Sequence, residues 1–211
     1  YGAELRLTPG YEGMKGALNL AKELANKINN SFQFNQFENP SNPMIHENTT
    51  AKEIWIQSNN NIDGLITGVG TGGTVTGCGE FLKKVNPNCK IYAVEPKKSA
   101  VISGGKAGSH AIQGIGAGFI PKVLKRELID EIIPIDDDEA FYYGRLLAKM
   151  EGLLSGISSG AALAATIKVG QRKELINKRL IVILPSFGER YLSTAMFDTN
   201  SSIAARNDGF L

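Results

Sequence analysis

Along residues 14–28 (MKGALNLAKELANKI) apolar side chains return every three or four positions for about four turns, the period of a helix with one buried face. Residues 2–8 alternate apolar and polar, which predicts a short strand ahead of that helix, and Phe32, Phe34 and Phe37 alternate in a second strand-like stretch. That stretch breaks at Asn39-Pro40-Ser41-Asn42-Pro43, where two prolines rule out regular strand pairing. A domain junction is placed there, dividing the chain into residues 1–39 and 40–211, with a turn over residues 43–49. Beyond it the pattern becomes regular. Helices are predicted over residues 49–56, 74–85, 137–150 and 160–169, and short apolar strands over 65–69, 91–94, 132–135 and 180–184. Strands alternating with helices predict an α/β fold, a mostly parallel twisted sheet with helices on both faces. Residues 201–211 are polar enough to predict a loose tail.

In such a sheet ligands sit beyond the carboxyl ends of the strands, and GVGTGGTVTG (residues 68–77) occupies one of those ends. Glycines let backbone N–H groups converge, and the helix that follows presents its positive end, so the loop suits an anion such as a phosphate monoester without any Lys or Arg. Thr71 and Thr74 add hydroxyl donors. Gly68, Gly70 and Gly73 also match G-x-G-x-x-G, and Glu95 follows at the distance of a ribose-binding acid, so a dinucleotide is a second reading. A glycine-rich turn with nothing bound is a third, and the loop alone leaves all three open.

Composition narrows the function classes. The formal charge is +2 with no basic block, which suggests neither a nucleic-acid nor a membrane partner. No apolar stretch approaches the roughly 20 residues of a membrane span, and residues 1–10 carry no signal-peptide pattern, so a cytoplasmic location is expected. Cys78 and Cys89 fit packing in a reducing compartment, and His46 and His110 have no second ligand at metal spacing, so no metal is expected and surface or capping roles are assigned to both. The chain starts at Tyr1, without Met, almost inside an α/β unit, which predicts a fragment.

Five segments then fall in a telling order: residues 35–55 (NQFENPSNPMIHENTTAKEIW), 68–77, 113–121 (QGIGAGFIP), 151–162 (EGLLSGISSGAA) and 183–197 (ILPSFGERYLSTAMF). Together they resemble cysteine synthase, the O-acetylserine sulfhydrylase of the fold-type II (tryptophan synthase β-like) pyridoxal-phosphate enzymes. The resemblance implies that pyridoxal 5'-phosphate is the cofactor. It implies that Gly70, Thr71, Gly72, Gly73 and Thr74 hold its phosphate and that Ser158 bonds its pyridine nitrogen. Gln36, Met14 and the Gly114-Ile115-Gly116 segment are implied at the substrate cleft. It further implies that O-acetylserine and sulfide give cysteine and acetate, that the protein is a homodimer, and that the serine acetyltransferase C-terminal tail is a further partner. The family's Schiff-base lysine lies in an S-x-K-x-R-like stretch, and a T-S-G-N-T loop grips the substrate carboxylate. Both belong upstream of residue 1, so the chain resembles the C-terminal two-thirds of a family member with the N-terminal part missing. Residues 1–39 would be a remnant of the smaller domain and 40–211 the larger, cofactor-binding one. No catalytic residue is then expected in the chain, and alone it would be an inactive fragment or a binding module for the acetyltransferase. Cystathionine β-synthase and serine or threonine dehydratases share the fold, and the QGIGAGF block favours cysteine synthase over them.

Ser158 carries a physical argument of its own. A neutral hydroxyl does not favour a protonated pyridine nitrogen as a carboxylate would, and the weaker electron sink suits β-elimination. Its local alternative is a cap for the helix over residues 160–169. Glu189-Arg190 would face the site or form an ion pair at a turn, and Asp136, Asp137 and Asp138 would be a solvated helix start.

Overall fold

The protein is described here from a computed structural model, over residues 1–198. The tail predicted at residues 201–211 lies outside the described residues. Four strands, β1 (Gly64–Gly68), β2 (Lys90–Pro96), β3 (Glu131–Ile135) and β4 (Leu180–Val182), form one sheet in the order β3-β2-β1-β4. Every pairing is parallel, with Leu65 opposite both Ile91 and Ile181, and Val94 opposite Ile133. Helices cover both faces. Ile66, Val94 and Ile135 pack with Phe141, Ala161 and Ala165 from α5 (Asp137–Glu151) and α6 (Ile157–Gly170). Leu65, Ile91 and Ala93 point the other way, to Ala51 of α3 (Thr50–Gln57) and to Val75, Cys78 and Leu82 of α4 (Gly73–Val85). Burial on both faces is why β1 and β2 read as apolar runs rather than alternating ones. Each such Leu or Ile contributes about 1.5–3 kcal/mol. Pro134 is tolerated in β3 because that strand is at the sheet edge.

Departures from the sequence pattern cluster before β1. Residues 2–8 form no strand: Leu5 and Leu7 are exposed, and no neighbouring strand among the described residues takes up their N–H and C=O groups. Phe32, Phe34 and Phe37 are likewise not in a strand. Phe32 and Phe34 meet edge-to-face on the surface, with ring centroids 5.2 Å apart, while Phe37 is buried against Phe119. α1 (Gly13–Lys27) forms as the periodicity requires. The expected turn over residues 43–49 is instead α2 (Ser41–Asn48), capped at Pro40. Its Pro43 is the third helical residue, where the N–H has no intrahelical acceptor in any case, so the ring costs no hydrogen bond. α2 packs across α4.

α6 begins three residues earlier than its apolar pattern suggests, with Gly156 as N-cap, which places Ser158 inside the first turn. α5 opens on a capping box in which Asp136 and Glu139 cap each other's backbone. Asp137 is not solvated as the charge run suggests. It is 8% exposed and accepts from Lys98 Nζ at 2.7 Å and from the Ala111 N–H at 3.0 Å. Among the described residues no helix is long and apolar enough to cross a membrane.

Candidate functional site

The strand order reverses between β1 and β4, so the crevice of the sheet opens at the carboxyl end of β1, where residues 69–72 lead into α4. Val69 is tied to its neighbours: its N–H donates to Val94 O at 2.9 Å, and the Gly116 N–H donates to Val69 O at 3.0 Å. The glycines are required by the protein itself. A β-carbon on Gly70 would lie 2.5 Å from Gly114 O, one on Gly73 would collide with Asn42 Oδ1, and Gly72 sits at φ 84°, a backbone region closed to most side chains. Gly114, Gly116 and Gly118, at φ 97°, 69° and 80°, form a second left-handed run against this loop.

Between these segments and α1 lies a cleft of about 770 Å³. Met14, Gln36, Gly70, Thr71, Gly114, Ile115 and Gly116 all line it, so two of the expected phosphate residues meet the expected substrate residues at one place. Gly72, Gly73, Thr74 and Ser158 are not on its wall. Lys15 is, with an exposed side chain. Thr71 Oγ1 accepts from the Gly73 N–H at 3.2 Å and from Asn42 Nδ2 at 3.0 Å. Thr74 Oγ1 lies 3.3 Å from His46 Nε2, and His46 Nδ1 lies 3.0 Å from Thr50 Oγ1. Burial holds the His46 pKa below its ordinary value, favouring the neutral ring. His46 is thus neither a surface group nor a cap. It braces the loop from α2, as does Asn42 one turn before it. Neither role was legible while residues 43–49 read as a turn; the i, i+4 spacing of Asn42 and His46 is the signal a helix would have given.

Ser158 is 3% exposed, and its hydroxyl makes no hydrogen bond to a described residue, which removes the capping alternative. Its hydroxyl lies 3.6 Å from where a β-carbon on Gly114 would sit, beside the cleft. The first-turn N–H groups of α4 beyond Gly73, whose N–H Thr71 takes, together with the Thr71 O–H and the Ser158 O–H are therefore donors without internal acceptors, a set that fits a phosphate ester attached to a ring with a basic nitrogen. Glu95 does not fit a ribose. It is 1% exposed, with Oε2 accepting from the Ile102 N–H at 2.8 Å and Oε1 from the Ser103 N–H at 3.1 Å and the Ser103 hydroxyl. His110 Nε2 meets Gly116 O at 3.1 Å and so braces the glycine run rather than a surface. Glu189 and Arg190 are exposed on a 3-10 turn and form no ion pair with each other.

Comparison with known proteins supplies the family. Residues 1–186 match the family described as "Pyridoxal-phosphate dependent enzyme". A cysteine synthase of Staphylococcus aureus is 52% identical over 199 residues, covering 93% of this chain and 63% of the relative. One from Buchnera aphidicola is 51% identical, covering 93% and 65%. Among solved structures, cysteine synthase from Entamoeba histolytica superposes with a TM-score of 0.88 at 43% identity, covering 97% of this chain and 61% of that one. The O-acetylserine-dependent cystathionine β-synthase from Helicobacter pylori does so with 0.88 at 41% identity, covering 93% and 63%. The chain thus spans less than two thirds of the S. aureus relative's length. Sheet, cleft and sequence agree that the chain belongs to the pyridoxal-phosphate-dependent enzymes, in the fold-type II group that includes the cysteine synthases.

Proposed function

We propose that the protein to which this chain belongs is a cysteine synthase, replacing the acetate of O-acetylserine with sulfide to give cysteine. The observation that carries this reading is the convergence of Thr71, Gln36 and residues 114–116 on one cleft, with an uncommitted Ser158 hydroxyl beside it. The first-turn N–H groups of α4 beyond Gly73 and the Thr71 hydroxyl would hold the phosphate of pyridoxal phosphate, and Ser158 its ring nitrogen. When bound, the cofactor supplies the electron sink that lets the substrate's α-proton leave. Ser158, a neutral partner, keeps that sink moderate, which suits departure of acetate from the β-carbon over longer-lived carbanion chemistry. The glycine run at residues 114–118 presents backbone to the substrate side.

No lysine among residues 1–211 stands in an S-x-K-x-R-like stretch. The isolated chain therefore turns no substrate over, with residues 1–39 belonging to a smaller domain and 40–211 to the cofactor domain. A homodimer, a cytoplasmic location and capture of the serine acetyltransferase tail at the same cleft complete the reading. The test joins this chain to the part of the S. aureus relative that it does not match. The chimera should form cysteine from O-acetylserine and sulfide with added pyridoxal phosphate, and the 211-residue chain should form none. A chimera that folds, takes up the cofactor and releases acetate without incorporating sulfide would refute the assignment.

A further inference from the structure

The Thr71 hydroxyl has one proton to give and two lone pairs to fill. Both lone pairs are taken by N–H donors, from Gly73 at 3.2 Å and from Asn42 at 3.0 Å. The orientation of the Asn42 amide is itself fixed, because its Nδ2 also lies 2.8 Å from Gln36 O, a carbonyl that can only accept. With both amide hydrogens committed, Oδ1 is left against the bare Cα of Gly73. A one-way chain results: Asn42 donates to Thr71, and the Thr71 proton is free only toward the cleft whose wall Thr71 forms.

We propose that Asn42 is a positioning residue, dedicating the Thr71 hydroxyl to donate to the phosphate of the ligand and coupling that donor to the Gln36 backbone on the substrate side. The inference rests on the pyridoxal-phosphate reading above. A donor aimed in advance favours a phosphate dianion, which only accepts, over a ligand hydroxyl that also needs to donate. It also gives Gly73 a reason that phosphate contact alone does not: a side chain there would displace the Asn42 amide.

The test uses the 211-residue chain with pyridoxine 5'-phosphate, pyridoxine and orthophosphate, none of which has an aldehyde that lysines could trap. Equilibrium dialysis and ³¹P line broadening supply the dissociation constants for wild type, Asn42→Ala, Asn42→Asp, Thr71→Val and the double variants, with urea midpoints measured alongside. Asn42→Ala should weaken pyridoxine 5'-phosphate roughly ten-fold, the scale of one charge-assisted hydrogen bond, and leave pyridoxine unchanged. It should have no further effect in the Thr71→Val background. Asn42→Asp keeps the packing against Gly73 but presents an acceptor, drawing the Thr71 proton back, and should weaken phosphate binding at least as much as Ala. The proposal is overturned if Asn42→Ala costs the same factor with Thr71→Val as without it, or if Asn42→Asp binds like wild type. If wild type takes orthophosphate but not pyridoxine 5'-phosphate, the cofactor reading fails while the Asn42 effect on orthophosphate still decides the positioning role. If wild type binds neither phosphate, the positioning role falls as well.

Discussion

Glu95→Gln should destabilise the protein far more than an isosteric change on a surface. The Glu95 side chain is buried with no ion pair, and three donors from two consecutive residues make that burial tolerable. An amide in its place keeps one accepting oxygen. Whichever way it turns, its NH2 then faces a backbone N–H, that of Ile102 or that of Ser103, donor against donor. Hydrogen bonds to a charged group are worth about 1.5–3 kcal/mol and an orphaned buried N–H costs about 1–3 kcal/mol. The smaller desolvation cost of a neutral amide offsets part of this. A net loss of about 2–4 kcal/mol follows, or roughly 4–16 °C in melting temperature for a chain of this size. Trp55, the single tryptophan, supplies a fluorescence signal for urea unfolding, in which the midpoint should fall with the slope unchanged. A change below about 0.5 kcal/mol would refute the reasoning, since that is the scale of ordinary surface substitutions. Residues 102–103 lead toward the glycine run at the cleft, so the same variant should also weaken binding of pyridoxine 5'-phosphate.

The lowered pKa of half-buried His46 makes stability pH-dependent. Its folded pKa is held below the ordinary 6.5, so its contribution is complete above pH 6.5 and lost as pH falls through the folded value; His46→Gln should flatten the urea midpoint between pH 7 and pH 5 relative to wild type. Burial pushes the Cys78 thiol up to about 12 and Cys89 up to about 11, so both should react with a disulfide reagent only at the rate of unfolding, and fast labelling of either in native buffer would contradict the packing. Gly77→Ala puts a β-carbon 2.8 Å from the Glu47 N of α2 and should cost about 1–3 kcal/mol, whereas Gly10→Ala, with nothing within 4 Å, should be near neutral in the same unfolding assay. Ser158→Ala should leave the unfolding midpoint of the free chain unchanged, because its hydroxyl caps nothing; a loss near 1 kcal/mol would restore the capping role.

The parallel sheet and its covering helices were legible because they rest on local period: Leu65 and Ile66 must be buried on opposite faces, and the helices between the strands carry the matching stripes. The misreadings have a different physics. Alternation at residues 2–8 and at Phe32, Phe34 and Phe37 describes two-sidedness, but a strand also needs a neighbour to take its hydrogen bonds, and that partner is not written locally. α2 was hidden by Pro40 and Pro43, which punctuate a sequence strongly yet cost nothing at a helix start. Missing α2 hid Asn42 and His46 with it. Ser158 read as an even choice between cap and ligand group because the true N-cap, Gly156, has no side chain to announce it.

The glycine loop separates two demands that one motif merges. Bare backbone at Gly70 and Gly73 is needed by Gly114 O and Asn42 Oδ1, which are protein atoms, while the groups left to meet a ligand are the first-turn N–H groups beyond Gly73 and the Thr71 proton. Counting glycines therefore measures how closely three segments approach, and the hydroxyls decide what is bound. That is why a dinucleotide reading stood beside the phosphate one in GVGTGGTVTG. It is also why the decision between them came from elsewhere: from Glu95, whose oxygens are spent on Ile102 and Ser103, and from Ser158, whose hydroxyl is spent on nothing.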